Sequence, residues 1–359
     1  MGILIVLGTR PEIIKLWPVI DDLRKTGEDF KLLHTGQHYS PGMDYVFFRQ
    51  LRLPTPELNL NTGELPPLER FGQMVIGVEK AILTWKPTCV VVQGDTDSVL
   101  AGTIAGMKAD VPIAHIEAGL RSYDRSMPEE GNRVLTDHAS HRLYAPTSTS
   151  YTNLMKEGIP PENCLVVGNT IVDAITMWKA RRFTYKATQE RFRRPYILVT
   201  VHRHENTNSK KKLQTLFKSI TAVGREYNMR VVFPMHPRTS SLVASWNIPV
   251  DTKVIEVISP LDYWTFLHLE SQASLVLTDS GGVQEEACIL NVPCVTLRDN
   301  TERPETILVG ANCIGGTVPQ DVVKSAGAML KRARNWKIPI GDGKASRRIV
   351  RDLTARYHD

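Results

Sequence analysis

Short apolar runs alternate with segments of helical period along the whole chain. In the first half "ILIVL" (3–7), "KLLHTG" (31–36), "CVVVQG" (89–94), "PIAHIEAG" (112–119) and "RLYAPT" (142–147) read as strands. A helix begins near Pro11, whose fixed φ suits a first helical position, and sets Ile13, Trp17, Ile20 and Leu23 on one face. "VLAGTIAGMKA" (99–109) carries the small and apolar residues of a helix packed on a sheet. The second half restarts the pattern with "YILVTVHR", "RVVFPMHP", "TKVIEVI", "SLVLTDSGG" and "PCVTLRD". Each half reads βαβα, which predicts a parallel sheet covered by helices on both faces. The expected fold class is therefore α/β with two Rossmann-like domains, 1–170 and 171–344. The helix-like segment 345–359 is expected to pack back on the first domain.

A chain of 359 residues is long enough for two stable cores. It has no apolar run near membrane-spanning length, and "ILIVL" is too short for a signal core. Five cysteines lie scattered without CxxC spacing, which predicts a reduced, cytoplasmic protein. The net charge of +6 favours acidic partners. The basic runs near Lys210 and in "KRARNWK" read as solvated faces. No nucleic-acid motif accompanies them, so an anionic small molecule is expected rather than nucleic acid or membrane.

In open parallel sheets ligands sit beyond the carboxyl ends of the strands. Two such domains facing each other predict a site in the cleft between them. The polar residues at the strand ends are many. "GTRPEIIK" (8–15) follows the first strand without the glycine spacing of a dinucleotide loop. Asp95 and Glu117 end strands of one sheet, and paired carboxylates in a closed site can divide acid and base roles. Asp95 could equally cap the helix near Ser98, whereas "IEAGLR" offers Glu117 no helix to cap. Glu129 and Glu130 could be catalytic or ordinary first-turn acids. Ser280, Gly281 and Gly282 lead into a helix whose free N–H groups form a pyrophosphate seat. Glu286, one turn on, is placed to accept hydrogen bonds from a ribose diol. His202 and His236 follow strands of the second half. "HRH" does not suggest a metal, because no third ligand is spaced to complete a zinc set.

Taken together, "GTRPEIIK", "GQH", "QGDT", "HIEAGLRS", "MPEEGNR", "VGNTIVD", "HRHEN", "HPRT", "TDSGGVQEEA" and "RDNTERPE" resemble the non-hydrolysing UDP-N-acetylglucosamine 2-epimerases. The resemblance implies a GT-B type architecture, a homodimer and no cofactor. It implies interconversion of UDP-GlcNAc and UDP-ManNAc by elimination of UDP to 2-acetamidoglucal and re-addition. By motif it makes Asp95, Glu117 and Glu129 the acid–base carboxylates, carried by the first domain, and puts His202 close to the diphosphate. Arg10, Lys15, Arg133 and Arg303 would contact the nucleotide-sugar, Ser280, Gly281 and Gly282 the diphosphate, Glu286 the ribose and Phe266 the uracil.

The chain departs from the family pattern at Gly131, where a larger residue is usual and a glycine loosens a helix. "GQHYS" (36–40) departs from the form linked to activation by a second substrate molecule. The alternatives are a 2-epimerase for another UDP-2-acetamido sugar, such as a 2,3-diacetamido uronic acid, and a GT-B glycosyltransferase. A catalytically silent binding protein would lack a carboxylate of the set, and none is missing.

Overall fold

The computed structural model describes residues 2–37, 47–125, 127–181, 192 and 195–357. The His38–Ser40 part of "GQHYS" and the stretch 182–191 lie outside the described residues. The chain divides into two compact units, one made of Met1–Arg181 with Ile340–Asp359 and the other of Arg182–Pro339.

In the first unit β1 (Ile3–Leu7), β2 (Phe30–His34), β3 (Leu58–Asn59), β4 (Cys89–Gln93), β5 (Ile113–Ile116), β6 (Arg142–Ala145) and β7 (Cys164–Val166) form one sheet. Its order is β3-β2-β1-β4-β5-β6-β7, and every pairing is parallel. β1 lies inside the sheet, bonded to β2 and β4, and all five of its side chains are buried. The helix Asp97–Lys108 lies close against this sheet because its glycines permit it. A Cβ at Gly102 would stand 2.9 Å from Val92, and one at Gly106 would stand 3.0 Å from Ile113.

The second unit repeats the design. β8 (Tyr196–Thr200), β9 (Arg230–Pro234), β10 (Ile255–Ile258), β11 (Leu275–Thr278), β12 (Cys294–Thr296) and β13 (Asn312–Ile314) form a sheet of order β10-β9-β8-β11-β12-β13. It too is parallel throughout. Its core gathers Leu213, Phe217 and Ile220 of the helix Lys210–Glu226 against Phe233 and Leu277 of the strands. Each unit is thus a Rossmann-like α/β fold, the class the sequence pattern predicts.

The division between the units falls after Arg181, so the helix Thr170–Ala180 belongs to the first unit. Ile171, Val172, Ala174 and Ile175 are buried there, and this helix packs on Arg10–Thr26. The returning chain ends in the helix Ala345–Tyr357. Asp352 on that helix receives a forked ion pair from Arg142 at 2.7 and 2.8 Å and the Tyr144 hydroxyl at 2.9 Å. The Ser346 hydroxyl lies 2.8 Å from an Asp173 oxygen and 2.7 Å from an Asp22 oxygen.

Two glycines make opposite predictions. A Cβ at Gly8 would collide with Thr35 Oγ1 and Ser98 Oγ, so Gly8→Ala is expected to lower urea stability by about 1–3 kcal/mol. Gly131 lies on an exposed helical face with open space where a Cβ would be. Gly131→Ala is expected to raise stability by about 0.5–1 kcal/mol. Equal unfolding midpoints for both variants and the parent would contradict this packing.

Candidate functional site

In the first sheet the strand order reverses between β1 and β4, where the loops after the two strands open a binding position. "GTRPE" forms the first of these loops. Thr9 stands at the N-cap of Arg10–Thr26, and Glu12, three residues on, turns back to receive the Gly8 and Thr9 amides at 2.5 and 2.9 Å. The other Glu12 oxygen accepts from the Thr96 hydroxyl, tying this loop to the one that carries Asp95. Burial pushes the Glu12 carboxyl up to about 7, against the pull of the hydrogen bonds from Thr96, Gly8 and Thr9. Arg10 is half-buried, its guanidinium 5.9 Å from the centre of the Phe47 ring.

Glu117 directly follows β5 with φ of 73°, a left-handed conformation unusual for a residue with a Cβ. Its side chain is buried and held from three sides. Lys15 reaches both carboxylate oxygens at 2.6 and 2.7 Å, Gln93 donates to one, and Asn169 donates to the other at 3.3 Å. Asp95 follows β4 and pairs with Arg133 at 2.5 Å. Arg133 also holds Glu130 at 2.8 Å, and Glu130 accepts the Ser122 and Tyr123 amides at 2.9 Å each. Burial alone would raise Glu130, but these bonds outweigh it and hold the carboxyl below its usual range. Glu129 lies exposed on the first turn of Pro128–Ala139. Its neighbour Glu130 is the acid that faces inward.

In the second sheet the reversal lies between β8 and β11. Asp279 follows β11, is fully buried, and accepts the His202 and Arg203 amides at 3.1 and 3.0 Å and the Asn206 amide group at 3.1 Å. "HRHEN" is therefore moulded around one carboxylate. The His202 ring stands 3.6 Å from Asp279 and 6.3 Å, centre to centre, from His236. Burial, with Arg203 and His236 adding to it, lowers the His202 pKa against the pull of Asp279. Ser280 is the N-cap of Gly281–Leu290. A Cβ at Gly281 would stand 3.6 Å from Glu302, 3.9 Å from Arg203 and 4.0 Å from Arg303. The free amides of this helix end are thus flanked by two guanidiniums, a setting for a polyanion.

Arg303 is itself paired with buried Glu285 at 2.7 Å. Glu302 is gripped by Arg298 at 2.8 and 3.1 Å, which overcomes the upward push of burial and holds its carboxyl at about 2. Glu286 accepts from the Tyr263 hydroxyl at 2.8 Å. Glu270 is fully buried, and burial together with the Glu286 carboxylate raises it well above its ordinary range. Phe266, half-buried, lies on the same helix as Tyr263 and Glu270, Tyr263–Gln272.

The family model described as UDP-N-acetylglucosamine 2-epimerase matches residues 21–354. The chain belongs to this family. A UDP-N-acetylglucosamine 2-epimerase of Methanocaldococcus jannaschii is 49% identical, with 99% of each chain covered. The crystal structure of M. jannaschii UDP-GlcNAc 2-epimerase in complex with UDP-GlcNAc and UDP superposes with a TM-score of 0.91 at 49% identity, covering 99% of this chain and 100% of that one. A UDP-2,3-diacetamido-2,3-dideoxy-D-glucuronate 2-epimerase of Pseudomonas aeruginosa is 38% identical over 98% of this chain and 99% of its own. The expectation drawn from the motifs, an enzyme of the 2-epimerase family, holds over nearly the whole length.

Within this family frame the structure adds residues that the motif reading passed over. Glu12 was legible, since Thr9-Arg10-Pro11-Glu12 fits a capping box. Gln93, Asn169, Asp279 and Glu285 lie inside the quoted motifs, but nothing in the sequence points to what they hold. Each is a buried polar residue whose partner is distant in sequence.

Glu12 makes a pH prediction. Its folded pKa, about 7, lies above the unfolded value of about 4.5. Its contribution is therefore fully present below pH 4.5 and lost as pH rises through 7. Against Glu12→Gln, which cannot ionise, the parent should lose about 3 kcal/mol of relative stability between pH 4.5 and 8. A parent-minus-variant difference that stays flat across urea titrations in this range would contradict the assignment.

Proposed function

We propose that this chain is a UDP-N-acetylglucosamine 2-epimerase that interconverts UDP-GlcNAc and UDP-ManNAc. The single observation that carries the reading is the match, at 49% identity and TM-score 0.91, to a relative whose crystal structure contains UDP-GlcNAc and UDP. In the reaction a carboxylate takes the C2 proton, the electron pair forms the C1–C2 double bond, and the anomeric C–O bond breaks to release UDP. Protonation of the resulting 2-acetamidoglucal at C2 from the opposite face, with UDP adding back at C1, inverts the centre.

The proposed roles follow the chemistry of each cluster. Asp95, Glu117 and Glu129 exchange the proton, the first two each oriented by a cation, Arg133 and Lys15. The Gly281–Leu290 helix end with Ser280, Gly281, Gly282 and Arg303 takes the diphosphate, whose charge grows as the bond breaks. His202 stands near it, Glu286 receives the ribose, Phe266 packs on the uracil, and Arg10 contacts the nucleotide-sugar. Lys15 and Arg133 support this by fixing the carboxylates as well as by charge. The enzyme is further proposed to be a cytoplasmic homodimer. Five free cysteines suit a reducing compartment. Among the described residues, no helix is long and apolar enough to cross a membrane.

The 38% identical Pseudomonas relative favours one second reading, the same chemistry on a 2,3-diacetamido uronic acid. Incubation with each UDP-sugar, followed by proton NMR of the C2 configuration, separates the two. Inversion of UDP-GlcNAc is expected, and inversion of the uronic acid alone would overturn the choice.

The carboxylate roles make a kinetic prediction. Asp95→Asn and Glu117→Gln should each lower kcat by on the order of 100-fold or more. UDP affinity by calorimetry should change by less than about threefold, because the proposed diphosphate, ribose and uracil contacts lie in the other unit. Undiminished turnover in both variants would contradict the roles.

A further inference from the structure

His115 and Asp137 stand between the two carboxylate loops of the first unit and have no part in the reaction as proposed. Both are buried, at 0% and 1% exposure. His115 Nε2 meets the carbonyl oxygen of Gly94 at 2.8 Å, directly before Asp95. His115 Nδ1 meets Asp137 Oδ1 at 2.7 Å. Asp137 Oδ2 receives the Gly119 amide at 3.0 Å, two residues past Glu117, and Arg121 at 2.7 Å.

The bonding is one continuous chain from Gly94 through His115 and Asp137 to Gly119. A carbonyl only accepts, so Nε2 carries a proton, and a second proton is shared between Nδ1 and the Asp137 carboxylate. Arg121 completes the charge balance and is itself held by Glu157 at 2.7 and 2.6 Å. Both loops need such anchoring. Gly94, Glu117 and Gly119 all have positive φ, at 88°, 73° and 79°, so both loops turn sharply, and the Glu117 conformation, costly for a residue with a Cβ, persists only where surrounding bonds hold it.

We propose that His115 and Asp137 form a positioning dyad that sets the Asp95 loop and the Glu117 loop in register with each other. The inference rests on the epimerase reading. The dyad touches no substrate. It acts by fixing two carboxylates that must address opposite faces of one carbon, where a misplacement of about 1 Å can reduce rate by about 100-fold.

Two variants cut the chain at different links. In His115→Asn the shorter amide reaches the Nδ1 position, keeping the Asp137 bond and releasing Gly94. In His115→Gln the longer amide reaches the Nε2 position, keeping Gly94 and releasing Asp137. Each is expected to lower kcat by about 10- to 100-fold with KM changed by less than about threefold.

The decisive readout is a ratio measured with UDP-GlcNAc in heavy water. It compares deuterium gained at C2 with retained configuration against deuterium gained with inversion. Loosening the carboxylate on the starting face lowers this ratio, and loosening the one on the opposite face raises it. The two variants should therefore move it in opposite directions, by about threefold or more each. A residue that only stabilises the fold reduces the active fraction and leaves the ratio unchanged.

An unchanged ratio in both variants overturns the proposal, as does a loss of folding, judged by circular dichroism and thermal unfolding, in both. Failure of the parent enzyme to exchange or invert anything would instead defeat the epimerase reading itself.

Discussion

The Glu117 carboxylate, buried at the end of β5 and clasped by Lys15, Gln93 and Asn169, is the constraint around which the first unit is organised. An ionised carboxylate taken out of water is costly unless it is paired and hydrogen-bonded. Here its partners come from the helix after β1, from the last residue of β4 and from the segment after β7. Because the sheet is parallel, these three segments leave their strands at the same end as Glu117.

The second unit solves the corresponding problem with Asp279. Its carboxylate lies beyond β11 and shapes the "HRHEN" loop by accepting successive amides. In both units a buried acid just past a strand end gathers partners from neighbouring segments, but those partners differ. Glu117 is held mainly by a side-chain ammonium, whereas Asp279 is held by backbone amides and Asn206. That difference fits the proposed division of labour, with proton transfer assigned to the first unit and recognition of the diphosphate to the second.

Much of this was readable from the chain. Continuous apolar runs located the central strands, because a strand buried on both faces has no other composition. They did not reveal β3, β7 or β13, edge strands of two or three residues with partly exposed side chains. A pattern so short carries no periodicity. The apolar face of helix Thr170–Ala180 could not show which sheet it covers. At the site, motif and position singled out Asp95, Glu117 and Glu286. They could not show that Lys15 pairs with Glu117 or Arg133 with Asp95, since ion pairs across 102 and 38 positions depend on the assembled sheet. The adjacent acids Glu129 and Glu130 look alike in sequence and separate only when the helix fixes which one faces inward.

The central claim is that acidic side chains strip and restore the hydrogen on the carbon next to the bond to UDP. Incubation of the parent enzyme with UDP-GlcNAc in heavy water, followed by NMR of the whole nucleotide-sugar pool at equilibrium, tests it most directly. The account predicts that both the gluco and the manno forms carry solvent deuterium at C2 and none elsewhere on the ring. A manno product that keeps the original hydrogen at C2 would contradict it.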